Sequence, residues 1–578
     1  MQKYSWIIAI ILILVIGLGF GYLYFDDHAY GAWGDDSPGY LYLAGRMLQG
    51  EPLVYQDELV QKGLDHFGDE KLARFLTPTH HEIISPDGWL ASIYPVGLSV
   101  VMFSVAKLSG NDLAIYFVVP ALAALNLVLI FLICDLLFKM LGQKKWSWVF
   151  AFFAAVTVGL SGLYYDYAIS QPMREIPSLF FILLAAYLFL LSIKYHHEGA
   201  TTSSRLQLAL MVLGTLSLGF SLNIRHTGIA VLPAFIVLLF YICNTKKFTI
   251  KQNSKKTLSI GIVFIILLII PLIFTIYNSY QISEHKEKFR NKDISGTAIV
   301  SNIDHVGSLS PLNMISSEGK FRTENGGLDQ YWQVMKNMSW LPYFMILVFI
   351  GVYYTWRKNK YLSAFLSLWV LGFLALFSMW VNPYSRYIIV AFPALAILGS
   401  FGLYYLLTDI YPKLVKNVKI GKLLAILTIL SILFIYSPAV ALIQENLEEE
   451  VLINKAISES DLNNLLAMGK LVEDRGDEKP IIMFSGNWQY GLSETLETHT
   501  GIKTIRMPFE QQKFEFNNDQ VKAFFDQLLD DGYTIYFWQD SGTSGDTNDF
   551  LWENYQLNEL KKYSFSFTDE IILYELHK

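Results

Sequence analysis

Eleven long apolar runs occupy most of the first 440 residues and constrain the fold more than any other feature. A helix that crosses a membrane needs about 20 mostly apolar residues, because the hydrocarbon core is about 30 Å thick. The runs lie at roughly 5–24, 113–138, 146–164, 176–193, 206–222, 226–243, 257–277, 341–356, 361–380, 387–408 and 421–440. We therefore predict a polytopic α-helical membrane protein with about eleven transmembrane helices.

Composition supports a membrane protein. Only 16% of the 578 residues are charged, whereas soluble domains carry about 25%. Aromatic residues make up 15% of the chain and suit the two membrane–water interfaces. The two cysteines, Cys134 and Cys243, both lie inside apolar runs, so the sequence indicates neither a structural disulfide nor a cysteine metal site.

The basic residues between the runs predict the orientation in the membrane. Tyr94 to Leu108 is apolar but has only about 15 residues, which favours a helix lying in the interface over a span. With that segment uncounted, every lysine-rich connector falls on the same side as Lys3. Because cytoplasmic loops carry the excess of Lys and Arg, we predict a cytoplasmic N-terminus and an outer C-terminus.

Two domains follow from these patterns. Residues 1–440 form the transmembrane domain, in which 25–112 is an acidic first outer loop that contains the interfacial helix. Residues 441–578 hold 26 acids against 11 bases, and apolar strand patterns alternate there with polar helix patterns. The tail is predicted to be a small extracytoplasmic α/β domain.

An acid pair, Asp35 and Asp36, follows the first span on the outer side. Pro38 begins a helix after it, and that helix carries an aromatic face with Tyr40. A carboxylate at the membrane surface suits a general base, although acids also cap surface helices routinely. Both interpretations are open from the pair alone.

Further polar residues are predicted at the same outer level. Arg174 and Glu175 begin the fourth span, and Arg225 follows the fifth. Tyr94 opens the interfacial helix, Arg386 precedes the tenth span, and Tyr387 begins it. Arginine can hold a phosphate by paired hydrogen bonds, but an ion pair at a helix end, ordinary turn chemistry or contact with lipid headgroups would also use these residues.

Taken in chain order, these motifs resemble a family. The acid pair, Tyr94-Pro95-Val96-Gly97, Glu175-Ile176-Pro177, Arg225-His226-Thr227-Gly228 and Arg386-Tyr387 followed by Phe392-Pro393 are similar to motifs of the polytopic GT-C glycosyltransferases. The closest group contains the protein mannosyltransferases and the lipid A aminoarabinose transferases. The resemblance covers roughly 1–440 and leaves the tail outside.

The resemblance implies an inverting glycosyltransferase. Such an enzyme moves a hexosyl or pentosyl group from a polyprenyl-phosphate carrier to an acceptor hydroxyl at the outer membrane face. Asp35 matches the catalytic acid of the family, and Asp36 replaces the more usual Glu beside it. Glu175 matches the second acidic motif, and Arg174 before it is a departure from the pattern. Arg386 matches the arginine near the carrier phosphate, and Tyr94 falls in the segment that borders the site.

Expected partners and cofactors follow from this reading. The donor is a polyprenyl-phosphate sugar, and the acceptor is a protein, a glycan or a lipid; the bilayer is a partner and a nucleic acid is not. Arginines supply charge without a required cofactor, while two acids on separate loops could also hold a divalent cation. No metal site is predicted from the histidines. A bacterial or archaeal plasma membrane is favoured.

Two alternatives stay open at this point. One is a transporter or flippase of lipid-linked saccharides, which would place ionisable groups within its spans. The other is a non-catalytic membrane scaffold whose acidic tail binds an outer partner.

Overall fold

The computed structural model describes most of the chain in separate segments. These are 5–31, 37–170, 172–198, 203–243, 254–285, 327–329, 331–332, 341–380, 384–414, 457–484, 490–507, 517–540, 545–566 and 568–578. The predicted acid pair Asp35–Asp36, the eleventh run at 421–440 and the domain boundary near 440 lie outside the described residues.

The first outer loop has more structure than the sequence predicted. After the first apolar helix α1 (Ser5–Asp26) the chain forms α2 (Ser37–Gln49), β1 (Val54–Gln56), α3 (Glu58–Phe67), α4 (Glu70–Ala73), β2 (His81–Ile83), β3 (Trp89–Ser92) and α5 (Gly97–Ser109). The three strands form an antiparallel sheet in the order β1-β3-β2. The predicted interfacial segment is α5, whose 13 residues are too few for a span.

Apolar helices fill the next part of the chain. They are α6 (Val118–Met140), α7 (Ser147–Gly159), α8 (Gly162–Ile169), α9 (Glu175–Glu198), α10 (Ser203–Ile224), α11 (Leu232–Cys243), α12 (Ser254–Ile269), α13 (Ile273–His285), α14 (Leu341–Lys358), α15 (Lys360–Ser378), α16 (Phe392–Tyr405) and α17 (Tyr411–Leu414). Short 3₁₀ turns precede several of them, at Asp112–Phe117, His226–Val231, Ile270–Leu272 and Ser385–Ala391. A π-helical turn, Leu406–Ile410, joins the last two.

Seven helical segments of the described residues are long and apolar enough to cross a membrane. The predicted run at 146–164 corresponds to α7 and α8, whose axes differ by 65°. If the two helices count as one bent span, the number rises to eight. Many of their apolar side chains are exposed to the surroundings, as Leu18 is at 70%. Such a surface is stable in lipid, so the helices support the polytopic architecture. The total of eleven spans stays a prediction.

The tail is an α/β domain, as predicted. It contains α18 (Glu459–Asp474), β4 (Pro480–Phe484), α19 (Tyr490–Thr500), β5 (Lys503–Arg506), α20 (Asn518–Asp530), β6 (Thr534–Gln539), α21 (Gly545–Asn554), β7 (Gln556–Phe565) and β8 (Thr568–His577). The strand order is β5-β4-β6-β8-β7. Strand β4 pairs in parallel with β5 and β6, whereas β8 is antiparallel to both of its neighbours.

The first outer loop and the tail share their hydrophobic core. Leu41 and Ala44 of α2 belong to the same buried cluster as Leu492 and Leu496 of α19. The two helices approach closely because α2 has a glycine at the crossing, where a Cβ on Gly45 would lie 2.5 Å from Thr498 Cγ2. The tail therefore packs on the helix that directly follows the predicted acid pair.

Candidate active site

Glu175 is the centre of the polar residues that the fold brings together. It is the first residue of α9, and its side chain is 1% exposed. Arg225 Nη1 lies 2.8 Å from Glu175 Oε1, and Arg386 Nε lies 3.4 Å from the same oxygen. Three predicted site residues from three separate parts of the chain therefore meet in one ion-pair cluster.

Arg225 reaches Glu175 from the turn after α10. Its side chain is 3% exposed, and its backbone N–H donates to the Ser221 carbonyl. The segment that opens α5 packs directly against this turn, since a Cβ on Gly97 would lie 2.6 Å from the Asn223 carbonyl oxygen. Glycine at 97 allows that approach, which explains why the Tyr-Pro-Val-Gly motif and the Arg-His-Thr-Gly motif adjoin in space.

Aromatic rings hold the arginines in position. The guanidinium carbon of Arg225 lies 4.5 Å from the ring centre of Tyr387 and 5.2 Å from that of Phe377. Arg386 lies 5.1 Å from the Tyr384 ring and 5.6 Å from the Tyr387 ring. Planar guanidinium groups are attracted to aromatic faces at these distances. The Tyr387 ring therefore contacts both Arg225 and Arg386.

Arg174, Tyr94 and Tyr40 border the same cluster. The guanidinium carbon of Arg174 lies 5.8 Å from the Tyr94 ring, which in turn packs on Tyr40 with ring centres 4.7 Å apart. Arg225 is attracted by Glu175 and repelled by both Arg174 and Arg386. All the predicted site residues that the structure describes therefore lie around one point.

The buried charges are not fully hydrogen-bonded. Both carboxylate oxygens of Glu175, and Nε and Nη1 of Arg225, lack a hydrogen bond of good geometry among the described residues. The 2.8 Å contact between the two side chains is thus a close ion pair without hydrogen-bond alignment. Buried charged groups are stable when they are paired and hydrogen-bonded, so this cluster is suited to a polar ligand that completes its bonds.

Two tyrosines that the sequence did not single out also belong to this region. Tyr167 in α8 lies close to Arg386 and Glu175 and interacts electrostatically with both. Tyr331, 1% exposed, interacts electrostatically with Arg225 and Tyr387. Tyr167 lies in the predicted outer segment after the third run. That position, close to Glu175 in the chain, marks it as a candidate site residue. Tyr331 lies in the short described segment 331–332 before α14, where no sequence pattern marks it.

Within the part of the chain that the structure describes, three or more histidine, cysteine or acidic side chains do not gather into a metal-binding group. Glu175 is held by two arginines, and such neighbours repel a cation. Glu175 in this arrangement is therefore a poor metal ligand. This conclusion applies to Glu175 and not to Asp35 and Asp36, which lie outside the described residues.

Solved structures with a similar fold identify the architecture. ArnT from Cupriavidus metallidurans bound to undecaprenyl phosphate matches with a TM-score of 0.55 and 14% identity, over 99% of this chain and 98% of that one. The oligosaccharyltransferase AglB from Archaeoglobus fulgidus, in complex with an inhibitory peptide and a dolichol-phosphate, matches with a TM-score of 0.55 and 13% identity, over 99% of this chain and 74% of that one. The chain has the GT-C fold.

The GT-C fold of this integral membrane protein includes the tail. We expected the resemblance to end near residue 440, yet the match with ArnT runs over 99% of the chain. The AglB protein has also been solved with Zn and sulfate, at a TM-score of 0.54 and 12% identity over 97% of this chain and 72% of that one. No protein-family model and no curated protein sequence matches this chain.

Proposed function

We propose that this protein is an inverting glycosyltransferase that moves a sugar from a polyprenyl-phosphate carrier to an acceptor hydroxyl at the outer membrane face. The observation that carries the proposal is the contact of Arg225 and Arg386 with the buried Glu175, with Arg174 close to Arg225, at the ends of apolar helices. Planar guanidinium groups match the oxygens of a phosphate, and the lipid tail of the carrier has apolar helices beside it.

The reaction needs a base and a stabilised leaving group. The acceptor hydroxyl gives its proton to a carboxylate while its oxygen bonds to the sugar C1. The bond between C1 and the phosphate oxygen breaks, and its electron pair leaves on the lipid phosphate. In this proposal Arg386, Arg225 and Arg174 stabilise that growing charge, and Glu175 holds the first two in position.

We assign the base to Asp35 or Asp36, following the family resemblance. Attack from the face opposite the phosphate inverts the configuration at C1. Base catalysis of this kind contributes roughly 10²- to 10⁴-fold. Tyr94, Tyr40 and Tyr387 border the donor in this arrangement, since they pack on one another or on the arginines. Residues 1–440 supply the chemistry, and 441–578 form the outer domain.

The similar structures support the ligand class. ArnT was solved with undecaprenyl phosphate, and AglB with a dolichol-phosphate and a peptide. A cytoplasmic N-terminus, an outer C-terminus and a bacterial or archaeal plasma membrane complete the proposal. The sugar is a hexosyl or pentosyl group. No cofactor is assigned to Glu175; the AglB structure with Zn keeps a divalent cation compatible with the fold.

The test is transfer of radiolabelled sugar from a panel of polyprenyl-phosphate sugars to membrane extracts. Wild type is compared with Asp35→Asn, Arg386→Gln and the control Arg357→Gln. Arg357 contacts Tyr353 near the end of α14 and lies outside the cluster. We expect transfer by wild type and the control, and a loss of about 10²-fold or more with Asp35→Asn. Arg386→Gln should weaken donor binding as well.

Other outcomes decide against the proposal. Transfer by both Asp35→Asn and Arg386→Gln at the wild-type rate would contradict the roles proposed for these two residues. Movement of lipid-linked saccharide across the membrane without transfer would indicate a flippase. Loss of function on deletion of 441–578 alone, with both substitutions neutral, would indicate a scaffold.

A further inference from the structure

A second polar site lies where the first outer loop meets the tail. A cleft of about 310 Å³ opens there between α2 and β1 on one side and α19 and β5 on the other. Ligand sites usually start at about 300 Å³, so the cleft has room for a small molecule or a short polar chain. It is separate from the Glu175 cluster, none of whose residues line it.

The floor of the cleft is a fixed polar network that joins the two domains. Lys503 Nζ lies 2.6 Å from Asp57 Oδ2 and 3.8 Å from Glu497 Oε1. The hydroxyl of Tyr42 donates to Glu497 at 2.9 Å and lies 3.1 Å from that of Tyr55. Replacing such a buried ionic network by apolar residues is often neutral or stabilising. A polar lining beside an open cleft therefore points to a use beyond holding the domains together.

Arginine and amide groups continue this lining toward solvent. The guanidinium carbon of Arg46 lies 3.4 Å from the centre of the Tyr55 ring, and Arg46 Nη1 pairs with Glu51 at 2.9 Å. Gln49 and Gln56 reach the cleft from exposed positions. Thr498 lines the same region, and its buried hydroxyl makes no hydrogen bond among the described residues. The walls thus offer both donors and acceptors.

The charge of the lining selects the kind of ligand. Two bases, Arg46 and Lys503, face four acids. The acids are Glu51, Asp57, Glu58 and Glu497. A net acidic lining disfavours a phosphate and therefore the lipid carrier. Sugar hydroxyls donate and accept hydrogen bonds and carry no charge, and an amino sugar is a cation, so both suit these walls.

Helix α2 connects the cleft with the proposed active site. Tyr40, near its beginning, packs on Tyr94 beside Arg174, and Arg46 faces the cleft six residues later. At 1.5 Å per residue these positions are about 9 Å apart along the helix axis.

We propose that the cleft binds sugar units of an acceptor glycan while another unit of the same chain receives the transferred sugar. This inference rests on the proposed function and names its acceptor class. The cleft then selects the acceptor, and the arginine cluster selects the donor.

The test is saturation-transfer NMR on the full-length protein in a detergent without sugar headgroups. The probes are maltotriose, the disaccharide of glucosamine, inorganic phosphate and tetralysine. Two variants change the cleft: Gln49→Ala/Thr498→Val removes polar groups without adding bulk, and Gln56→Trp fills the cleft from an exposed position. Lys62→Ala is the matched control. Lys62 pairs with Asp531 and so also joins the first loop to the tail, but it does not line the cleft.

We expect at least one saccharide to bind wild type and the control equally. The double variant should bind it about tenfold more weakly, as for loss of one or two hydrogen bonds, and Gln56→Trp should not bind it. The inference is overturned if no saccharide binds, if all variants bind alike, or if only phosphate or tetralysine binds.

Binding of undecaprenyl phosphate to the same samples separates the two proposals. Saccharide binding without carrier binding would contradict the proposed function and support the cleft as a sugar site. Carrier binding without saccharide binding would support the proposed function and contradict the cleft as a sugar site.

Discussion

The arginine cluster and the cleft are two polar regions of opposite character. In the cluster, Arg225 and Arg386 contact the buried Glu175, and Arg174 is close enough to repel Arg225. In the cleft, four acids outnumber two bases where the first loop meets the tail. The first environment favours an anionic ligand, and the second favours a neutral or cationic one. A transferase that takes a phosphate-linked donor and a hydroxyl acceptor needs both.

The two regions also differ in how their buried charges are bonded. Lys503 has aligned partners, and the neighbouring carboxylate of Glu494 accepts from the Thr79 N–H and the Ser493 hydroxyl. Glu175 and Arg225 are close but lack hydrogen-bond alignment among the described residues. The ion-pair network of the cleft is complete without a ligand, whereas the cluster at Glu175 has buried charged groups whose hydrogen bonds a ligand can complete. The predictions that follow test this contrast.

The largest effect is expected at Glu175. Glu175→Gln leaves Arg225 and Arg386 without the carboxylate that they contact, and removal of one partner of a buried ion pair costs about 3–5 kcal/mol. We expect a lower thermal midpoint and a loss of transfer of about 10²-fold or more. Thermal unfolding in detergent and the radiolabel assay measure the two effects.

A double variant separates stability from function at this site. Glu175→Gln/Arg225→Met removes the charges of Glu175 and of its nearer partner but leaves Arg386, so part of the thermal stability should return while transfer stays absent. Recovery of transfer in the double variant would contradict a functional role for Arg225.

The next largest effect on stability is expected at Asp57, where the first loop contacts the tail. This residue caps α3 by accepting from the Leu59 and Val60 N–H groups, and it also pairs with Lys503. Asp57→Asn keeps the cap and removes the charge, whereas Asp57→Ala removes both. We expect a cost of about 2–4 kcal/mol for Ala, with the cap accounting for about 1 kcal/mol of it.

Thermal unfolding of the two Asp57 variants tests that division. Equal destabilisation by Asn and Ala would assign the whole effect to the ion pair, and a neutral Asn variant would assign it to the cap. In either case the cluster at Glu175 lies elsewhere, so undecaprenyl phosphate should bind with unchanged affinity. A large loss of carrier binding would contradict the independence of the two regions.

A third effect depends on pH at the contact between His499 and Tyr116, whose Nε2 and hydroxyl oxygen are 2.7 Å apart. Burial lowers the pKa of His499 to about 4, against a partial opposing effect of Asp112. The unfolded chain binds the proton near the ordinary value of 6.5. A lowered folded pKa means that stability is complete above pH 6.5 and falls as pH decreases toward 4.

The loss has an upper limit of about 1.4 kcal/mol per pH unit for this one histidine. Thermal midpoints of wild type and His499→Gln, measured from pH 7.5 to 4.5, test the assignment. Glutamine keeps a hydrogen-bonding group near Tyr116 but does not titrate, so its midpoint should fall less steeply in this range. Parallel curves would place the pH dependence in other groups.

The sequence predicted the membrane architecture because lipid leaves few alternatives for an apolar run of 20 residues. It also gave Glu175, Arg225 and Arg386 as candidate site residues, because polar residues at the ends of spans are conspicuous, and their role stays a prediction. Their mutual contacts came only from the fold, because residues 175, 225 and 386 are distant in the chain. Asp35 and Asp36 lie outside the described residues and stay predictions.

The outer regions were less predictable. The strands β1, β2 and β3 have three or four residues each, too few for an alternating pattern to be recognised. In the tail, strand β5 and the polar helix α19 become stable through packing on neighbours. Nothing in the local sequence of Thr498 indicates that it crosses α2 at Gly45. Contacts between distant segments depend on tertiary packing rather than on periodicity.

The smallest effect is expected for the ion pair between Lys62 and Asp531, whose side chains are 24% and 36% exposed. It joins the first loop to the tail, as the Asp57–Lys503 pair does, but it is close to solvent. Exposed pairs contribute about 0–1 kcal/mol, because water screens the charges and both side chains lose freedom. Lys62→Ala should therefore shift the thermal midpoint slightly and leave transfer, carrier binding and saccharide binding unchanged. A shift as large as that of Asp57→Ala would show that the seam depends on charge pairing in general rather than on the buried network beneath the cleft.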